Sequence, residues 1–137
     1  MALDDFYTAL ALVQVFKDDE WTTGTHYSSS IDTLGNHQLL AMMTTGTVGV
    51  DGSVDVHFDE SEDGGVSDPW TEVPGSHFDV ITPANDDSAH LGRILLNGRK
   101  RYLRAHAVLT GHDSFLGVIV CLQPFDTSNS TAFDFAV

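Results

Sequence analysis

Seven histidines and twenty acidic residues are the side chains with which this chain could do chemistry. The histidines are His26, His37, His57, His77, His90, His106 and His112. None falls into a His-x-x-x-His helix pattern or a Cys/His zinc spacing. His57-x-Asp59 and His77-Phe-Asp79 each put a histidine and an aspartate on one strand face, which could hold a metal. In a chain so rich in Asp, such pairs also arise by chance. His106 stands two residues from Arg104 on one strand face, a poor place for a cation. No metal ligand set is therefore assigned. Asp59-x-Ser61-x-Asp63-Gly64 has the alternating oxygens and the glycine of the first half of a calcium loop, but its twelfth position is Trp70 where Glu is needed. The plainer reading is a hairpin turn whose acids face water, and calcium stays open at this stage.

Nucleophilic chemistry finds less support. There is no Gly-x-Ser-x-Gly elbow and no glycine-rich phosphate loop running from a strand into a helix. Cys121 is the single cysteine and lies inside an apolar run, so it reads as a small core hydrophobe. One cysteine excludes an intramolecular disulfide framework and fits manufacture in a reducing cytosol. A small sandwich also has little volume left for a pocket once its core is filled. The expectation is a protein that is not an enzyme and needs no cofactor.

Charge is the unusual quantity. Six basic residues face twenty acidic ones, a formal net charge of −14. Such a chain is repelled by nucleic acid and by anionic membrane. Apart from Lys17, the bases are Arg93, Arg99, Lys100, Arg101 and Arg104, which predicts a basic band on an acidic body. Two readings stand side by side. The band pairs internally with acidic strands beside it, or it docks on an acidic partner surface, such as a neighbouring copy.

The elements that must position these residues are strands. The 137 residues are one domain's worth, and 42% are hydrophobic, close to a globular average. The longest apolar runs, such as Phe115 to Leu122, are too short for a membrane span of about 20 residues. The opening Met-Ala-Leu-Asp-Asp lacks the basic n-region of a secretory signal. Phe6 to Phe16 fits a helical stripe or a strand, and the reading favours an extended arm or first strand over residues 1–20. Gln38 to Thr45 reads as a buried strand. Ser53 to Asp59 alternates strictly, with Val54, Val56 and Phe58 on one face and Asp55, His57 and Asp59 on the other. Trp70 to Val73 and Phe78 to Thr82 read as short strands. Asn97-Gly98 predicts a hairpin between His90–Leu96 and Arg99–Thr110. Leu103, Ala105, Ala107 and Leu109 should share one face, and Tyr102, Arg104, His106 and Val108 the other. Phe115 to Gln123 is apolar on both faces, which places it centrally. The tail 124–137 carries Phe125, Phe133 and Phe135 and reads as a loose end or as an arm that buries its phenylalanines elsewhere. Together these predict an all-β antiparallel sandwich over 21–123, jelly-roll-like or Ig-like, with seven or eight strands and extended terminal arms.

From Asp32 to Leu122 the chain also resembles a family of small β-rich virion proteins of tailed bacteriophages. The matching pieces run in order. They are Asp32-Thr-Leu-Gly35, the Val54–Gly64 strand and acidic turn, and Trp70-Thr-Glu-Val-Pro-Gly75. Then come Ile81-Thr-Pro-Ala-Asn-Asp86, Leu91-Gly-Arg-Ile94, Arg99–Ala105 and Gly117–Leu122. The resemblance implies a capsid decoration or cement protein, made in the host cytoplasm. It would bind the major capsid protein on the outside of the shell, commonly as a homotrimer. On that reading the contact residues are Arg93, Arg99, Lys100, Arg101 and Arg104, with Phe6, Tyr7, Phe16, Phe133 and Phe135 adding buried area. Alternatives are another virion part (tail, neck or fibre-associated), or a glycan-binding sandwich using Trp21, Trp70, Tyr27 and Tyr102. Against the glycan reading, Trp70 reads more simply as a core plug of its hairpin.

Overall fold

A computed structural model describes residues 11–124 and 133–137. Its strands are β1 (Ala11–Trp21), β2 (Gly24–Tyr27), β3 (Ile31–Asp32), β4 (Gln38–Thr45), β5 (Ser53–Ser61), β6 (Thr71–Glu72), β7 (Ala89–Leu95), β8 (Tyr102–Thr110), β9 (Ser114–Gln123) and β10 (Phe135–Ala136). There is no helix among the described residues. The first sheet has the order β1-β9-β4-β7-β10, and the second has β2-β8-β5-β6 with β3 also on β8. Successive strands alternate between the sheets except at β2–β3, which both pair with β8, at the β5–β6 hairpin and at β9–β10. This is the eight-stranded double Greek key of a jelly roll, with β10 added at one edge. The jelly-roll alternative therefore holds, and the Ig-like one does not.

Binary pattern explains the layers. In β5, Val54, Val56 and Phe58 are fully buried, and in β8 so are Leu103, Ala105 and Ala107, with Leu109 nearly so. These inward rows meet Leu39, Ala41 and Met43 of β4 and Leu116, Val118 and Val120 of β9 across the sandwich. β9 lies between β1 and β4, the central position its two apolar faces require. β1 pairs antiparallel with β9 along its whole length, so residues 11–20 are a strand of the sheet and not an arm.

Two sequence expectations change. Asn97-Gly98 does make a tight turn, with Gly98 at φ 81° and Arg99 N–H donating to Leu96 O. The strands it joins lie in different sheets, so the turn is a crossing and not a ladder hairpin. Residues 78–82 form no regular strand. They follow β5 through Phe78 N–H to Val56 O and a reciprocal Val54–Ile81 bridge. Of the two readings of the tail, Phe135 fits the burying arm: it is 5% exposed and packs in the core against Phe78, ring centroids 5.0 Å apart. Gly92 makes that possible. A Cβ there would lie 2.8 Å from Phe135 Cε2, with two further ring atoms nearer still. β10 then runs parallel to β7 in the register Phe135 to Gly92.

Candidate functional site

The outer face of the second sheet collects the polar residues. Alternation in β5 points Asp55, His57 and Asp59 outward, and alternation in β8 does the same for Tyr102, Arg104 and His106. Register then decides the neighbours. His57 lies directly opposite His106, Asp59 opposite Arg104, and Tyr27 of β2 opposite His106. On the far side of β5, Ser76 and Phe78 are buried, so His77 between them faces outward. The result is a row of four rings across the sheet: Tyr27, His106, His57 and His77. Successive centroids are 4.6, 4.3 and 4.6 Å apart.

Carboxylates organise this row. Asp59 is buried, and its Oδ1 lies 3.1 Å from His57 Nε2. Its Oδ2 lies 3.1 Å from Arg104 Nε and 3.2 Å from His106 Nδ1. His77 lies between two carboxylates, with Nδ1 3.0 Å from Asp55 Oδ1 and Nε2 hydrogen-bonded to Glu72 Oε1. Burial, then the neighbouring His106, push the His57 pKa down, and Asp59 only partly offsets them. Burial alone would lower His77 too, but its bonds to Asp55 and Glu72 together raise it. His57 Nδ1 is buried without a hydrogen-bond partner.

The basic band is consumed internally. Arg101 makes a bidentate pair with Asp32 at 2.9 and 2.9 Å. Lys100 Nζ is 2.8 Å from Asp68, and Arg99 is 3.7 Å from Glu60. Arg104 sits between the rings of Tyr27 and Trp70, 3.9 and 4.6 Å from their centroids, while bonded to Asp59. Arg93 is on the other sheet, 5.6 Å over the Phe133 ring. Of the residues expected at an interface, Phe16 is 1% exposed and belongs to the core, as does Phe135. Phe6 and Tyr7 lie outside the described residues. Of the predicted aromatic platform, Tyr27 and Trp70 share Arg104. Trp70 is half-buried on the outer face and no core plug, Tyr102 faces Arg101, and Trp21 packs on Phe16 and His26.

The half calcium loop has other work. Asp63 accepts the N–H groups of Val66, Ser67 and Asp68, which holds its carboxyl below the usual range, the Asp68 bond contributing most. Ser61 Oγ accepts from Gly65 N–H and donates to Asp68 O. Asp59, the loop's first oxygen donor, is turned to Arg104 and the histidines. At Gly65, with φ at 86°, a side chain would also run into Trp70 Cδ1 at 2.7 Å.

The outer face of the first sheet is different in kind. Leu40, Met42, Leu91, Ile119 and Cys121 adjoin one another there through the β9-β4-β7 register, with Met42 39% and Leu91 41% exposed. Burial raises the Cys121 thiol pKa, as expected of a packed hydrophobe.

These features define a jelly-roll sandwich with one apolar and one histidine-rich outer face. No protein-family model matches the chain, and no curated protein does. Among solved structures it is similar to the SPBc2 prophage-derived protein YomS, at 9% identity over 82% of this chain and 94% of that one, TM-score 0.50. It is also similar to the infectious bursal disease virus VP2 subviral particle, at 12% identity over 84% of this chain and 32% of that one, TM-score 0.50. At such identities the likeness is one of fold.

Proposed function

We propose that the chain is a structural virion protein of a tailed phage, a decoration or cement protein that binds the outer surface of the major capsid shell as a trimer. The observation that carries this reading is the apolar outer face of the first sheet. Leu40, Met42, Leu91 and Ile119 present contiguous apolar surface on a body of net charge −14. Exposed patches of this kind mark association surfaces. A stable interface buries about 1,200–2,000 Å² in total, more than charged loops supply without an apolar centre. The ordered resemblance from Asp32 to Leu122 supports the phage-virion class. The fold is one that a prophage-derived protein and the VP2 of a virus's subviral particle also use. Because the basic band is spent on Asp32, Glu60, Asp68 and Asp59, docking rests on apolar area more than on charge steering. The acidic remainder keeps the particle soluble and repels nucleic acid and anionic membrane.

The test is reconstitution. Heads lacking the protein are incubated with purified chain, sedimented and imaged, and the free chain is sized by analytical ultracentrifugation. Saturable binding to heads with threefold density on the shell supports the proposal. Association with tails alone, or with no particle, overturns it.

A further inference from the structure

We propose that His57, Glu72 and His77 form a binding site for a divalent transition-metal ion, zinc being the ion their donor set fits. One ligand atom from each lies within 4.8 Å of the other two. A tetrahedral zinc ion with bonds of about 2.0–2.1 Å needs its ligand atoms about 3.3 Å apart. The Glu72 side chain, 47% exposed, is free to adjust toward that spacing.

The hydrogen bonds around the two histidines favour a metal. Each imidazole has a carboxylate on one ring nitrogen, Asp59 on His57 Nε2 and Asp55 on His77 Nδ1. Such carboxylate–histidine pairs fix the tautomer and orient the other nitrogen as a metal ligand. The nitrogens left over are His57 Nδ1, buried and unpartnered, and His77 Nε2, which faces Glu72. A buried nitrogen without a partner is costly in a folded protein, and coordination would satisfy it. At His77 the ion replaces the proton shared with Glu72, which is released to solvent. Two imidazoles and one carboxylate are a familiar zinc set, with a fourth position open to water.

Two other groupings are weaker. His57, Asp59 and His106 also lie close enough, but Asp59 already accepts from His57, His106 and Arg104, and the guanidinium would repel a dication. Asp79, His90 and Asp134 offer a single imidazole with two carboxylates, and Asp134 Oδ2 already accepts from Asp79 N–H at 2.9 Å while pairing with His90 Nδ1 at 2.7 Å.

The test uses the chain without a polyhistidine tag, stripped with chelator and titrated with zinc chloride by calorimetry. Cobalt(II) substitution is followed in the visible, where tetrahedral cobalt absorbs strongly. Wild type should bind one equivalent. Glu72→Gln and His77→Gln, both at exposed positions, should weaken binding at least about 10-fold, and Asp55→Asn about 10–100-fold. Their urea midpoints in chelator should match wild type, separating lost ligands from lost fold. His90→Gln should leave the titration unchanged. Absence of saturable binding overturns the proposal. So does binding that survives Glu72→Gln and His77→Gln, or that is abolished by His106→Gln or His90→Gln while persisting in His77→Gln.

Discussion

Gly92→Ala should destabilise this protein when Phe135 is present and stabilise it when Phe135 is absent. The Gly92 Cβ would press on the Phe135 ring, with Cε2 at 2.8 Å, so the ring must move by more than half an ångström or leave. Overpacking of this kind costs about 1–3 kcal/mol. Phe135→Ala alone removes a nearly buried ring from its contacts with Phe78 and Phe58, and a loss of about 3 kcal/mol is expected, the low end for a core Phe. In that background the new methyl enters the space the ring left and gains up to about 0.8 kcal/mol of burial. Removing a strand-interior glycine adds about 0.5–1 kcal/mol. The double-mutant coupling should therefore be about 2–4 kcal/mol, with Gly92→Ala of opposite sign in the two backgrounds. Urea denaturation of all four proteins measures it. With a slope of about 2 kcal/mol/M, Phe135→Ala shifts the midpoint by about 1.5 M. If Gly92→Ala costs the same with and without Phe135, the tail is not seated over Gly92 and the reasoning fails.

Further expectations concern the two outer faces. Arg104→Ala should cost about 3 kcal/mol, because it leaves buried Asp59 without its guanidinium. Arg104→Lys should recover only part, since an ammonium cannot stack flat between Tyr27 and Trp70; urea melts read both. Arg101, first by its hydrogen bonds and then with help from Leu34 N–H, holds the Asp32 carboxyl at about 2. A depressed carboxylate stabilises the fold above its unfolded pKa of about 3.9, and that contribution fades as pH falls toward 2. Thermal melts between those limits should thus decline less steeply for Asp32→Asn than for wild type, and parallel declines would refute the pair. Met42→Lys with Leu91→Lys should change stability by less than about 1 kcal/mol, since both are exposed, yet abolish sedimentation with heads; undiminished binding would move the contact elsewhere.

Single-strand patterns were legible in the sequence, and pairings were not. The alternation in Ser53–Asp59 and Tyr102–Leu109 assigns every one of those side chains to its correct face, because a period of two is a local property. The ring row is invisible at that level. It depends on His57 meeting His106, a register set between strands about fifty residues apart. For the same reason Arg104 looked like a hazard to His106, whereas across the strands it answers Asp59. Jelly-roll and Ig-like patterns also share local signals, and differ only in which strands cross between sheets. Phe135 was readable as an apolar tail residue, but its seat required Gly92, and nothing local links the two.

The β1–β9 pairing has a consequence for manufacture. Ala11 meets Leu122 and Trp21 meets Ser114, partners roughly 100 residues apart along the chain. At a synthesis rate of about 5–20 residues per second, β1 waits about 5–20 s on the ribosome before β9, its neighbour among the described strands, exists. Through that interval the Leu12-Val-Gln-Val-Phe16 run is an unpaired apolar edge, the kind of segment that nascent chains misassociate through. The second sheet can begin sooner, since β5 finds β6 within about a dozen residues and β8 within fifty. Translation speed and chaperone supply then bear on how much of this protein reaches its native state.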